Sequence, residues 1–408
     1  MQDHHSHAGE PSGGPLSGIR VIELGQLLAG PFCGQLLGDF GADVIKIEDP
    51  RTGDPMRQWG REKPHGKSLW WSVVGRNKRS VGLDLRRPEG QEVLRTLAAE
   101  ADVVIENFRP GTLERWGLDY ETLSAQNPGL VLVRVTGYGQ SGPYATRAGY
   151  GSIGEAMGGL RYVVGDPSAP PSRVGISIGD TLAATFAALG AISALYERSR
   201  TGRGQVVDSA IFEAVLAVME SLVPEYQIGG YVRERTGPTL PDVAPSNVYP
   251  TADGLMALVA ANQDTVFARL AKAMGRPELA VDPDFATHTG RGMRQVELDE
   301  LIAQWTSGLT WEQLEEICTE HAVPAGLMYR APEMLQDPHF QARETIVRLA
   351  HPDFGEVAMQ NVFPRFSRTP GAVRWPGPAL GAHTDEVLAA AGLDGEQIAA
   401  LRRSGVAG

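Results

Sequence analysis

Cysteine is scarce: Cys33 and Cys318 are the two thiols of a 408-residue chain. Two thiols give neither a disulfide framework nor a four-ligand zinc set, and a reducing compartment, the cytoplasm, is the expected setting. Basic charge is also in deficit, with 37 Lys and Arg against 49 Asp and Glu and a net charge of −12. General nucleic-acid binding needs a basic surface, so nucleic acid is not an expected partner, although one local basic pocket remains open. Long apolar runs are missing. The most apolar stretch, 182–196, is rich in Ala and Gly and shorter than the ~20 residues of a bilayer span, so it reads as a buried, closely packed helix and no membrane is expected. The first residues, MQDHHSHAGEPSGG, have no apolar segment of the kind a secretory signal needs. No H-E-x-x-H string serves zinc hydrolysis, and the loop after the first strand lacks the G-x-G-x-x-G of NAD binding.

Hydrophobic residues make up 42 % of the chain and recur throughout, which excludes global disorder. The length suits two or three units of about 150 residues. Residues 1–15 read as a polar, disordered tail, whose His4, His5 and His7 are solvated or at most hold a stray metal. Beyond them, short Val/Ile-rich strands at 19–24, 43–47, 80–85, 103–106 and 130–136 alternate with helical patterns at 31–40, 88–100 and 120–126. That alternation predicts an α/β domain with an open, mostly parallel sheet covered on both faces. After residue 222 the pattern changes. Residues 223–250 read as a linker and 251–330 as a smaller α+β unit, with a hairpin turning at Asp253-Gly254 and helices at 265–274, 294–308 and 310–322. Residues 331–380 read as a return linker. Two C-terminal helices within 381–408 lack a partner of their own and are expected to complete the domain of residues 16–222.

The first strand leads into Gly25-Gln26-Leu27-Leu28-Ala29-Gly30-Pro31. Its two glycines resemble a phosphate loop, but Pro31 stands where such a loop needs Lys. Asn107-Phe108-Arg109-Pro110-Gly111 follows a strand at the edge where open α/β sheets bind ligands. Arg115 lies nearby, and Arg86 and Arg87 follow another strand. Each arginine alone reads as ordinary surface, but several at strand ends favour an anionic, phosphate-bearing ligand. Asp180 precedes the apolar helix and reads as its N-cap. A carboxylate at a helix start is also held ionised by the dipole, a state suited to a nucleophile attacking an activated acyl group. Cys33 reads as core.

These residues sit in strings that resemble the family III CoA-transferases, the group of formyl-CoA transferase and carnitine CoA-transferase: LSGIRVIELGQLLAGPF (16–32), LGDFGADVIKIE (37–48), GRNKRSVGLDL (75–85), ADVVIENFRPGTLERWGLDYETL (101–123), GYGQSGPYATRAGY (137–150), VGISIGD (174–180), RTGRGQVVDSAIFEA (200–214) and GAHTDEVL (381–388). The resemblance implies a Rossmann-like large domain, a small domain and a homodimer of two interlaced chains. It implies Asp180 as the nucleophile. CoA contacts are implied at Leu28, Ala29, Leu83, Asp84, Leu85, Arg86, Asn107, Phe108, Arg109, Arg115 and Arg147, with supporting places for Gln26, Tyr150 and Glu155. A CoA thioester is then a substrate, and neither a metal nor a tightly bound cofactor is expected.

Two departures stand out. The family often follows the tyrosine at 150 with an acid, where this chain has Gly151, and Glu155 is the nearest replacement. The glycine-run loop of the formyl-CoA enzyme is missing, which argues against oxalate. The strings GYGQSGPY, RERTG (233–237) and MGRPELA (274–280) look most like a branch using succinyl-CoA and a small dicarboxylate such as malate, citramalate or itaconate. In that branch Arg233 or Arg235 could pair a second carboxylate. The competing readings are an α-methylacyl-CoA racemase and a non-catalytic CoA-binding protein. The racemase places His in an AGHD motif where this chain has Ala148-Gly149-Tyr150-Gly151, and tyrosine, with a pKa near 10, is a poor base at neutral pH.

Overall fold

A computed structural model describes residues 13–408. The tail histidines His4, His5 and His7 lie outside the described residues. Gly14, inside the expected tail, packs against Phe40, and the Leu16 N–H donates to the Phe40 carbonyl at 2.9 Å.

The described residues divide into two compact units: 13–160 with Val174–Ser221 and Ala342–Gly408, and Arg161–Arg173 with Leu222–Gln341. The larger is built on β1 (Arg20–Glu23), α1 (Ala29–Asp39), β2 (Asp43–Glu48), β3 (Lys78–Gly82), α2 (Pro88–Ala99), β4 (Val103–Glu106), β5 (Val131–Thr136), α3 (Gly151–Met157), α4 (Ile178–Thr201) and β6 (Val206–Ala210). The sheet order is β3-β2-β1-β4-β5-β6, with every neighbouring pair parallel. The β4 and β5 residues are buried throughout, which is why they read as nearly continuous Val/Ile runs. The chain starts at β1, winds outward to β3, and returns beside β1 as β4. The connections leaving β1 and β4 therefore diverge and open a crevice at their carboxyl ends.

Helix α4 has 24 residues, longer than the 182–196 expected from its apolar run. Glu197–Arg200 end the hydrophobic signal without ending the helix, which closes at Gly202 in the left-handed conformation (φ 73°). Arg198 and Arg200 in its last turn suit the negative end of the dipole. By length and composition this helix could cross a bilayer. Here Ala183, Ala184, Ala187, Ala191 and Ala194 bury one face with Val133 and Val135 of β5 and Cys33 and Leu37 of α1. Their small side chains allow that close approach.

β3 begins two residues before the expected strand and ends at Gly82. Leu83 instead bridges antiparallel to Ala407, and the Asp84 N–H donates to the Val406 carbonyl at 2.8 Å. The early start was hidden because Lys78 is charged yet fully buried.

In the smaller unit, β7 (Ser246–Pro250) and β8 (Met256–Ala260) form an antiparallel hairpin whose turn holds Gly254 at φ 77°. α5 (Asp264–Ala273), α6 (Gln295–Thr306) and α7 (Trp311–Glu320) supply Phe267, Leu270, Leu298, Ile302 and Leu314 to its core, and β9 (Ala325–Leu327) pairs with β8. The stretch read as linker carries a helix, Leu222–Gly229. Back in the larger unit, β10 (Ile346–His351) and β11 (Gly355–Gln360) form a second hairpin. α8 (Thr384–Ala390) and α9 (Gly395–Arg403) place Val387, Leu388 and Ile398 in one core with Leu94 and Leu97 of α2.

Candidate active site

The loop after β1 is held at several backbone groups. A Cβ on Gly25 would lie 3.0 Å from the Gly30 Cα, and the reverse holds as well. The two glycines let the chain fold across itself; they do not form a phosphate loop. Asn107, leaving β4, clamps Gln26 at two points: its Oδ1 accepts the Gln26 N–H at 2.7 Å and its Nδ2 donates to the Gln26 carbonyl at 2.8 Å. Leu27 adopts φ 63°, a conformation a branched side chain rarely takes. Its N–H donates to Asp54 Oδ1 at 3.0 Å. Beneath the loop, Lys46 reaches Glu23 at 3.1 Å, Asp54 at 2.9 Å and the Gly25 carbonyl, while Lys78 reaches Glu23 at 2.7 Å and the Pro31 carbonyl at 2.6 Å.

All four of these charged side chains are buried. Burial alone would lower Lys46, but Asp54 and Glu23 outweigh it and hold the ammonium above its ordinary range. For Lys78 burial wins and the shift is downward. Removing one member would strand a buried partner, a far larger penalty than an exposed pair exerts.

A pocket of about 140 Å³ opens at the carboxyl edge of β1–β4. Leu24, Ile47, Leu83, Leu85, Phe108 and Trp116 form its apolar lining. Gln26, Glu48, Asp49, Asp84 and Arg86 supply the polar part. Of the expected CoA contacts, Leu83, Asp84, Leu85, Arg86 and Phe108 therefore share one cavity. Arg86 is already engaged, donating to Asp84 at 2.7 and 2.9 Å and to Asp49 at 2.7 Å. Hydrogen bonds from Arg51 and from Arg86 hold Asp49 and Asp84, respectively, below the ordinary carboxylate range. Arg109 and Arg115 are exposed beyond Phe108, and Arg115 donates to Thr112 at 2.9 Å. Arg147 lies in the irregular stretch 137–150, its guanidinium stacked 3.7 Å over the Tyr144 ring. Leu28 is the N-cap of α1 and Ala29 its first residue.

Asp180 is not the N-cap of α4. Ser177 holds that position and Asp180 lies in the first turn, half-buried. Its carboxylate lies over Gly151, the first residue of α3: a Cβ there would stand 2.2 Å from Asp180 Oδ2. Glu155, one turn along α3, is 1 % exposed, and its Oε1 accepts the Gly179 N–H at 3.4 Å. Tyr150 is 68 % exposed. In the smaller unit, Arg233 donates to both Glu225 oxygens at 3.1 Å, and Arg235 donates to the Tyr162 carbonyl at 3.1 Å.

The profile of CoA-transferase family III matches residues 16–384. The chain is a family III CoA-transferase. It is 61 % identical over 374 residues to succinyl-CoA–D-citramalate CoA-transferase of Chloroflexus aurantiacus, covering 92 % of this chain and 93 % of the relative. It is 43 % identical to the succinyl-CoA–L-malate CoA-transferase beta subunit of the same organism, covering 95 % and 97 %. Among solved structures, a CaiB/BaiF family protein from Brucella suis superposes with a TM-score of 0.83 at 36 % identity, covering 93 % of this chain and all of that one. The sequence pattern missed several residues of this CoA-transferase's pocket: Leu24, Ile47, Glu48, Asp49 and Trp116. The signal was present for Asp49, which follows a strand at the same sheet edge as Arg86 and Asn107. Trp116 is brought in by the turn after Arg109 and had no local signal.

Proposed function

We propose that this CoA-transferase moves CoA from succinyl-CoA to a small dicarboxylate, of the citramalate or malate kind, through a covalent Asp180 intermediate. The placement of Asp180 carries this reading: a half-buried carboxylate in the first turn of a 24-residue helix, where the dipole favours its ionised, nucleophilic form. The donor and acceptor classes rest on the relatives' activities.

In the proposed mechanism, Asp180 attacks the thioester carbonyl of the donor, forming a mixed anhydride and releasing CoA thiolate. The thiolate attacks the aspartyl carbonyl, giving an aspartyl-CoA thioester and free succinate. The acceptor carboxylate attacks that thioester, forming a second anhydride and again the thiolate. The thiolate then attacks the acceptor's carbonyl, giving the new acyl-CoA and restoring Asp180. Each step exchanges one leaving group for one nucleophile, so no net proton is consumed. The pocket at the β1–β4 edge is assigned to CoA, with its apolar slot taking the base. Because Arg86 is engaged by two carboxylates, the phosphates fall to the exposed Arg109, Arg115 and Arg147. A dicarboxylate paired by Arg233 would have to displace Glu225.

The assembly proposed is an interlaced homodimer. Phe186, Leu189, Ile192 and Tyr196 form an apolar stripe on α4, each 38–68 % exposed, which a second copy would cover.

The test is Asp180→Asn, which keeps size and removes the nucleophile. The variant is expected to fold, bind CoA and lose transfer by several orders of magnitude. Wild type incubated with succinyl-CoA and hydroxylamine is expected to carry a hydroxamate at residue 180 by peptide mass spectrometry. Near-wild-type transfer by the Asn variant, with deamidation excluded, would refute the assignment.

A further inference from the structure

The chain places glycine, not an acid, after Tyr150, and the geometry around Asp180 gives that glycine a purpose. The Asp180 carboxylate occupies the space a side chain at 151 would fill: a Cβ there would lie 2.2 Å from Oδ2, 2.7 Å from Cγ and 3.0 Å from Oδ1. No larger residue coexists with this carboxylate position. The adjoining turn is equally tight. A Cβ on Gly179 would lie 2.9 Å from the Glu155 Cγ and 3.0 Å from the Gly151 carbonyl oxygen. The starts of α3 and α4 are thus in backbone contact, and the buried Glu155 holds the Gly179 amide beside the nucleophile.

We propose that Gly151 is a positioning residue for the reaction: its missing side chain is the berth that sets the Asp180 carboxylate in its attacking position, with Glu155 fixing the turn from the other side. This rests on Asp180 being the nucleophile. Gly151 is not among the residues at positive φ, so alanine meets no backbone strain there and is the better helix former. The neighbour that must give way is therefore the carboxylate. Restoring ordinary van der Waals distance moves it by about 1 Å, and a misplacement of that size in a reacting group lowers rate by roughly 100-fold.

Gly151→Ala is expected to melt at or above the wild-type temperature and to bind CoA within about two-fold of wild type. Its kcat is expected to fall roughly 100-fold, with the hydroxamate at residue 180 forming correspondingly slowly. Wild-type kcat in this variant, or a loss that appears only as weaker CoA binding, would overturn the proposal. Glu155 gives a second arm should Gly151→Ala not fold. Glu155→Gln keeps an oxygen for the Gly179 amide and is expected to retain activity within a few-fold, whereas Glu155→Ala is expected to lose kcat at unchanged KM for CoA. Equal activity in the two would overturn the role given to Glu155. Absence of any label at residue 180 in wild type would instead refute the nucleophile assignment.

Discussion

Asn107 shows how one side chain can hold a loop. Its amide is engaged with both backbone groups of Gln26, and in the proposed CoA site its contribution is expected through the shape of the loop. Each such bond contributes about 0.5–1.5 kcal/mol net. Asn107→Ala is therefore expected to lose about 1–3 kcal/mol of stability and to bind CoA roughly ten-fold more weakly, measured by thermal melts and isothermal titration calorimetry. Wild-type CoA affinity in this variant would show that the clamp does not shape the site. At this scale Asp180 was legible as a carboxylate before an apolar helix. Its exact turn was not, because Ser177 and Asp180 are both acceptable caps by residue type and only the backbone path decides between them.

At the scale of elements, the β10–β11 hairpin is tied to the short helix Leu69–Val74 through a histidine. His351 Nε2 lies 3.1 Å from the Ser72 hydroxyl, and its Nδ1 accepts the Asp353 N–H at 3.1 Å, so the neutral ring donates from Nε2. Phe354 stacks on the ring, and Lys67 pairs with Asp353 alongside. Burial lowers the His351 pKa, and His383 is shifted the same way for the same reason. A histidine that is harder to protonate when folded binds fewer protons than in the unfolded chain. Stability is therefore full above the unfolded value near 6.5 and falls as pH drops through that value toward the folded one. The melting temperature is expected to fall between pH 7.5 and 5, and His351→Gln is expected to flatten that slope, leaving the part due to His383. An unchanged slope would place the pH dependence elsewhere. The helix α4 was legible in its apolar middle and illegible at its ends, because the exposed Glu197–Arg200 turn carries no hydrophobic signal.

At the scale of the whole molecule, the proposed interlaced homodimer, with the exposed stripe on α4 as part of its interface, is expected to persist on dilution. Interlaced chains separate only by unfolding, so analytical ultracentrifugation at nanomolar concentration is expected to show no folded monomer; a folded monomer there would refute the interlacing. The alternation of Val/Ile-rich strands with helices determined by itself that the first half is an open, mostly parallel sheet, because both faces of such strands must be buried. Ordered strings such as LSGIRVIELGQLLAGPF and VGISIGD determined the family. Only the tertiary structure decided what is near what. It put Gly30 against Gly25, Asn107 across from Gln26, Ala407 beside Leu83 and Gly151 under Asp180. Period and composition report how each residue meets water. The contacts that build this site join residues up to about 320 positions apart through backbone groups and missing side chains, which leave no local periodicity to read.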